Sequence, residues 1–330
     1  MTDKPLDVLA IGNAIVDVIA DADDAFLVAQ GLDKGAMRLV DEVEAVALYG
    51  KMGPGRESSG GSAGNTVAGL AALGLSAGFI GQVADDELGK IFAHDLRATG
   101  VEFGTPTRND VGASARCLIL VTPDAQRTMN TFLGAAQRLP ASAISAAHVA
   151  SARILYLEGY LWDPEEPRAA MEAAIDAARA AGTKVAFSLS DAFCISRHRD
   201  GFNRLIDDGR IDILFANEDE ILSLTGAADF DSAVAAVTPK VPVLAVTRGA
   251  AGAVAVSGQE RAEVAAEPIA KLVDTTGAGD LFAAGFLAGQ ARGKSLQVSL
   301  RLGAIAAAEV IQHYGARPEA DLRALAGELL

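Results

Sequence analysis

Residues 271–289 read KLVDTTGAGDLFAAGFLAG. An apolar run leads into two threonines and a Gly-Ala-Gly loop, and Asp280 then opens a stretch of small and apolar residues. From Lys271 onward the pattern predicts a strand, a glycine loop, and helices over about 279–289, 295–313 and 319–330. Glycines let successive backbone N–H groups converge, and a helix N-terminus adds orphan amides and the positive end of its dipole. The loop therefore reads as an anion site that needs no basic side chain. Asp280 beside it has two readings, a helix cap or a base that takes a proton from an attacking hydroxyl. The loop alone leaves both open.

Outward from this loop, short apolar runs alternate with longer Ala-rich segments of helical character. Strands are expected at 8–11, 77–82, 154–158, 184–188, 211–215 and 243–247, and helices at 63–73, 87–99, 165–181 and 218–225. That alternation predicts an α/β fold, a doubly wound, mostly parallel sheet flanked by helices. Segments 14–56 and 105–135 break the rhythm with apolar-polar alternation and turn signals, and are expected to pair as a small β lid. At 330 residues and about 150 per domain, the chain suits two folding units or one large α/β unit with an insertion.

Composition narrows the chemistry. With 43 acidic against 28 basic residues the net charge is -15, which argues against a broad nucleic-acid or anionic-membrane surface. The longest apolar runs fall short of the ~20 residues a membrane helix needs, and MTDKPLDVLAIG lacks the pattern of an export signal, so a cytoplasmic location is expected. Cys117 and Cys194 are far apart in sequence and read as small buried side chains in a reducing compartment. His94, His148, His198 and His313 suggest no metal cluster.

Two further motifs accompany the anion loop. SGGSAGN at 59–65 is a second glycine loop leading into a helix: Gly60 and Gly61 allow close approach of a ligand, and Asn65 offers an amide. A tight turn with an Asn cap is the alternative. Asn13 and Asp17 follow the first strand, where open α/β sheets bind ligands, although a turn Asn and a solvated Asp fit as well. No G-x-x-x-x-G-K-[ST] or G-x-G-x-x-G occurs, which leaves P-loop and dinucleotide readings unsupported.

Taken in order, SGGSAGN, NEDE at 217–220 and DTTGAGD at 274–280 resemble the signatures of the ribokinase-like (PfkB) family of carbohydrate and nucleoside kinases. GNAIVD at 12–17, QRTMNTFLGAA at 126–136, YLEGYLW at 156–162, FSLSDAF at 187–193 and ILFANEDE at 213–220 are most similar to its adenosine kinase branch. The resemblance implies one ribokinase-like unit over 1–330 with a β lid, and transfer of the γ-phosphoryl of ATP to a hydroxyl, with Mg2+ and with K+ left open. It implies Asp280 as general base, the amides of Gly277, Ala278 and Gly279 around the migrating phosphoryl, and Arg127 as a lid arginine closing on the phosphates. Asn13, Asp17, Gly61 and Asn65 become ribose contacts, with Gly60 and Ser62 in the same loop. Asn217 and Glu220 match an N-x-x-E element that organises magnesium through water, while Glu218 and Asp219 read as solvated neighbours. Thr247, Gly249 and Gly252 of TRGAAG fall on the nucleotide segment, and Asp274 on a monovalent-cation position. Tyr160 and Leu161 replace a pair of aromatics, leaving Tyr160 or Trp162 to stack on a base; Ser188 stands where Asn or Asp is usual. The expected acceptor is adenosine or a related purine nucleoside, with a sugar such as ribose or fructose as the alternative and a non-catalytic sensor as the alternative of another class. A homodimer through the lid is left open.

Overall fold

A computed structural model describes residues 4–124 and 126–330. Residues 1–3, on which part of the amino-terminal reading rests, and residue 125 in the second lid segment lie outside the described residues. The large sheet holds nine strands, β1 (Leu6–Ile11), β5 (Ala77–Ile80), β6 (Glu102–Phe103), β9 (Ala152–Glu158), β10 (Lys184–Ser188), β11 (Ile213–Asn217), β12 (Val243–Thr247), β13 (Ala253–Ser257) and β14 (Glu260–Val264). Their order is β14-β13-β12-β11-β10-β9-β1-β5-β6. All pairs are parallel except β12 with β13 and β13 with β14. A second sheet, in the order β3-β8-β7-β2-β4, contains β2 (Ile15–Asp21), β3 (Met37–Leu39), β4 (Gly55–Ser59), β7 (Ala115–Val121) and β8 (Arg127–Phe132).

Alternation along each buried strand feeds two cores. Val8, Ala10, Ile154, Tyr156 and Phe215 join the core that contains Leu281, Phe282 and Phe286, while Leu9, Ile11, Leu155, Leu157 and Phe187 join the one with Met171, Ile175 and Phe202. Period-two side chains on a sheet covered on both faces produce this division. Register then sets the site. Ser188 stands opposite Glu158, and Asn217 opposite Thr247, so the carboxyl ends of β9 to β12 form one rim. β1 lies between β5 and β9, where the chain's progress across the sheet reverses, and crevices at such points receive ligands.

Several expectations need correction. Among the described residues, 268–276 form no strand; the amides of Val273 and Asp274 instead donate to Ile311 O. The expected 319–330 helix is only Leu322–Ala326 followed by a 3-10 turn. The β13–β14 hairpin and the helix Ala192–Asp207 were not anticipated, the latter because its polar start, capped by Asp191, hides its apolar stripe. Among the described residues no helix is long and apolar enough to cross a membrane, and no cluster of three or more His, Cys, Asp or Glu is placed to hold a metal. Cys117 and Cys194 are buried free thiols, and burial pushes both up to about 12.

Candidate active site

A cleft of about 830 Å³ lies between the rim of the large sheet and the second sheet. The anion loop forms one wall. Gly277, left-handed at φ 79° and ψ -2°, is the N-cap of the helix Ala278–Ala291 and supplies no side chain to cap it. Asp280 does not cap the helix either: its carboxylate accepts from Ser62 Oγ at 2.7 Å and from Asn65 Nδ2 at 2.9 Å, both on the neighbouring helix Ser62–Ala72. Burial raises its pKa, and the bonds from Ser62 and Asn65 and the charge of Arg317 oppose that shift. Ala278 N donates to Thr275 O at 3.2 Å, so it is not a free amide as expected. Those of Gly277, Gly279 and Asp280 have no acceptor among the described residues.

The glycine pair works by closeness. A Cβ on Gly60 would strike the Asp17 carboxylate, and one on Gly61 the carbonyl of Asn13. Asp17 and Gly61 line the cleft with Ser62 and Asn65, whereas Gly60 supports from behind. Burial lifts Asp17 to about 6 against the opposing charges of Arg317 and Arg127. Asn13 does not line the cleft. Its N and Nδ2 both donate to Glu158 Oε1 at 2.7 Å, while Ala63 N donates to Oε2 at 2.7 Å. Glu158, 0% exposed, thus ties the end of β1 to the start of the helix, and burial holds it at about 7.

On the opposite side, Asn217 and Glu220 form a reciprocal cap. Asn217 Oδ1 accepts from Glu220 N at 2.8 Å, and Glu220 accepts from Asn217 N at 2.9 Å and Nδ2 at 2.7 Å. Glu220, buried, is raised to about 7 by that burial. Glu218 is not merely solvated, since it pairs with Arg248 at 3.2 Å. Thr247, Arg248 and Gly249 line the cleft. Gly252 does not; a side chain there would collide with Val264 O, so its glycine serves the β-hairpin.

Arg127 and Asp274 depart most from expectation. Neither lines the cleft; Arg127 Nη1 lies 2.5 Å from Asp274 Oδ2. Asp274 Oδ1 accepts from Thr276 N and Oγ1, and Oδ2 from Gly315 N. Donors therefore occupy both oxygens where a monovalent cation was expected. Trp162 is also excluded from the cleft, being 2% exposed and packed edge-on against Phe187 and Phe202. Tyr160, 37% exposed, lines it, with its N–H and O–H donating to Ser190. Ser190 holds φ at 72°, a strained value for a residue with a side chain. Ser188 also faces the cleft. The sequence reading missed Glu158 and Arg317 as site organisers, because a carboxylate ending a strand and a lone loop arginine carry no motif.

A family model described as pfkB family carbohydrate kinase matches residues 7–322. The chain belongs to the pfkB family, whose fold and mostly parallel sheet it shares, and is a phosphotransferase with an alcohol acceptor. Kinases of this family use ATP, typically with Mg2+, and act on small sugars or nucleosides. Among solved structures, adenosine kinase from Sinorhizobium meliloti is 47% identical with a TM-score of 0.91, covering 98% of both chains. The probable sugar kinase protein from Rhizobium etli CFN 42 is 46% identical with a TM-score of 0.91, again covering 98% of both. A 5-dehydro-2-deoxygluconokinase of Shouchella clausii is 27% identical, covering 94% of this chain and 91% of that one.

Proposed function

We propose that this kinase transfers the γ-phosphoryl of ATP to the 5′-hydroxyl of a purine nucleoside, adenosine foremost. One observation carries the choice of acceptor: the cleft is two-faced. Gly61, Ser62 and Asn65 form a polar floor, and the second sheet covers it with Ile15, Met37, Ile119 and Met129, an apolar roof whose polar end is Asp17 of β2, beside the glycine pair. A nucleoside has both faces, ribose hydroxyls for the floor and a flat base for the roof. A free sugar would leave the roof facing water or hydroxyls. The 47% identity to the Sinorhizobium meliloti adenosine kinase supports the same acceptor.

In this reading the second sheet acts as a lid, and Asp280 takes the proton from the 5′-hydroxyl. Ser62 and Asn65 aim its carboxylate, and burial brings its pKa closer to that of the proton it must accept. The free amides of Gly277, Gly279 and Asp280 receive the charge on the transferring group. Glu220, oriented by Asn217, and Asp219 at the cleft edge supply the hard oxygen chemistry that suits Mg2+ held through water. Bound there, the metal would neutralise phosphate charge. Thr247 and Gly249 flank the nucleotide, and Tyr160 offers the aromatic surface. Arg127 is a lid arginine tethered by Asp274 rather than one free to reach phosphate. Donors fill both Asp274 oxygens, so Asp274 is assigned to the ion pair with Arg127 rather than to a monovalent cation.

A coupled ADP-release assay with MgATP and adenosine, inosine, guanosine, ribose and fructose tests the proposal. Adenosine should give the highest kcat/KM. A preference for ribose or fructose would replace it with a sugar kinase, and ligand binding without turnover on any acceptor would remove it.

A further inference from the structure

Arg317 lies in YGARPE at 314–319, far along the chain from every glycine motif. Its Nε and Nη2 donate to Ser59 O at 3.1 and 2.8 Å, Nη2 also to Ser59 Oγ at 2.8 Å, and Nη1 to Gly64 O at 2.6 Å. Ser59 is the last residue of β4 in the second sheet, and Gly64 sits in the first turn of the helix Ser62–Ala72. Gly60 and Gly61 alone separate that strand from the helix. One planar guanidinium therefore spans the joint between the second sheet and that helix. Ser59 is gripped from its other side by Asp95, whose Oδ2 accepts from Ser59 N at 2.7 Å and Oγ at 2.6 Å.

We propose that Arg317 is a positioning residue that pins this joint and so keeps Ser62 and Asn65, on either side of Gly64, aligned with Asp280. The inference rests on the proposed role of Asp280 as base. A glycine pair has the least backbone preference of any dipeptide, so the joint needs a brace from outside its own segment. Arginine suits the task because its fork binds two carbonyls at once, which a lysine ammonium on a flexible stem cannot hold in fixed geometry.

The charge of Arg317 matters as well as its shape. Around it stand Asp17 from β2, Asp95 from the helix Glu87–Ala98 and Asp280 from the helix after the anion loop. Glu158 from β9 and Asp274 belong to the same field, and Tyr156 and Tyr160 face Asp280. Among the described residues the other cation acting on Asp17 is Arg127, which is committed to Asp274. Removing Arg317 thus leaves Asp17 and Asp280 facing each other with less compensation. An opposite charge nearby lowers a carboxyl pKa, so its loss raises that pKa and moves the acid limb of activity to higher pH.

The test compares wild type, Arg317→Lys, Arg317→Met and Asp280→Asn in kcat, KM, melting temperature and the pH profile of kcat/KM, with adenosine and MgATP. Arg317→Met should lose at least about tenfold in kcat, shift its acid limb up by about one unit, and regain rate with added guanidinium. Arg317→Lys, which keeps the charge and loses the fork, should drop in kcat with its acid limb unmoved, and serves if the Met variant fails to fold. A folded Arg317→Met, or a folded Arg317→Lys, with wild-type kcat and pH profile overturns the inference while a slow Asp280→Asn leaves the base assignment standing. A fast Asp280→Asn removes that assignment itself.

Discussion

Arg127 on β8 and Asp274 ahead of the anion loop meet as an ion pair, Nη1 to Oδ2 at 2.5 Å, and each residue is only 8% exposed. The pair joins the second sheet to the phosphate wall. Among the described residues the three guanidinium nitrogens of Arg127 have no well-directed hydrogen-bond acceptor, so the attraction is chiefly Coulombic. Deleting one partner of a buried pair leaves the other charge stranded, at a cost of about 3–5 kcal/mol. Urea unfolding of Arg127→Met, Asp274→Asn and the double variant should show large losses in each single variant and a double loss well below their sum. Additive losses would show that the two charges do not interact.

The two loop glycines should separate folding from chemistry. A Cβ at Gly279 meets no atom within 4 Å, while one at Gly277 would lie 2.5 Å from Ala316 Cβ, at a backbone with φ of 79°. Gly279→Ala is expected to keep the wild-type melting temperature and lose at least about tenfold in kcat/KM, because the added methyl stands where phosphate must approach. Gly277→Ala is expected to melt earlier. An active Gly279→Ala would place the phosphoryl elsewhere.

Asp280→Asn keeps an acceptor for Ser62 but cannot take a proton. Its kcat should fall by about 10² to 10⁴, with MgATP affinity and melting temperature held. In the wild type, kcat/KM should decline as pH falls through the raised pKa of this carboxyl, since the base must be ionised. Near-normal turnover in the Asn variant would take Asp280 out of the mechanism.

Met37 is a solvent-accessible part of the roof, so replacing it leaves the core untouched. Met37→Ser should raise the KM for adenosine by about five- to tenfold, equivalent to roughly 1 kcal/mol of lost apolar contact, with the KM for MgATP unchanged. Equal effects on both would place the base away from this roof.

Glu158 and Glu220 titrate near 7 in the fold, against about 4.3 for an unfolded glutamate. Between those values the folded chain retains protons that the unfolded chain has released. Stability is therefore favoured at the lower end of this window and declines as pH rises through 7. Calorimetry of the ligand-free protein should find a higher melting temperature at pH 5.5 than at pH 8, with a smaller difference in Glu158→Gln. A melting temperature that climbs across this range would contradict the assigned titrations.

Legibility in the sequence followed local pattern. The parallel strands announced themselves as continuous apolar runs, and three glycine or N-x-x-E motifs located Asp280, Asn65 and Glu220 because each depends on neighbours within a few residues. Long-range partners did not. Glu158 reads as a strand end until the fold brings Asn13 and Ala63 to it, and Arg317 as a turn residue until Ser59 and Gly64 arrive. The same limit misplaced Arg127, Asp274 and Trp162, whose partners lie 147, 147 and 25 residues away respectively in the first instance. Gly252 was misread because backbone crowding by Val264 leaves no trace in spacing.

The roof of the cleft and its phosphate wall come from separate layers, Ile15, Met37, Ile119 and Met129 from one sheet and residues 276–280 from the helix end below the other. Recognition and reactivity are thus inscribed on different surfaces. A handful of exchanges among the overhead side chains could retune which alcohol is phosphorylated while the proton-transfer apparatus stays intact, and this makes the scaffold a practical starting point for engineering acceptor scope.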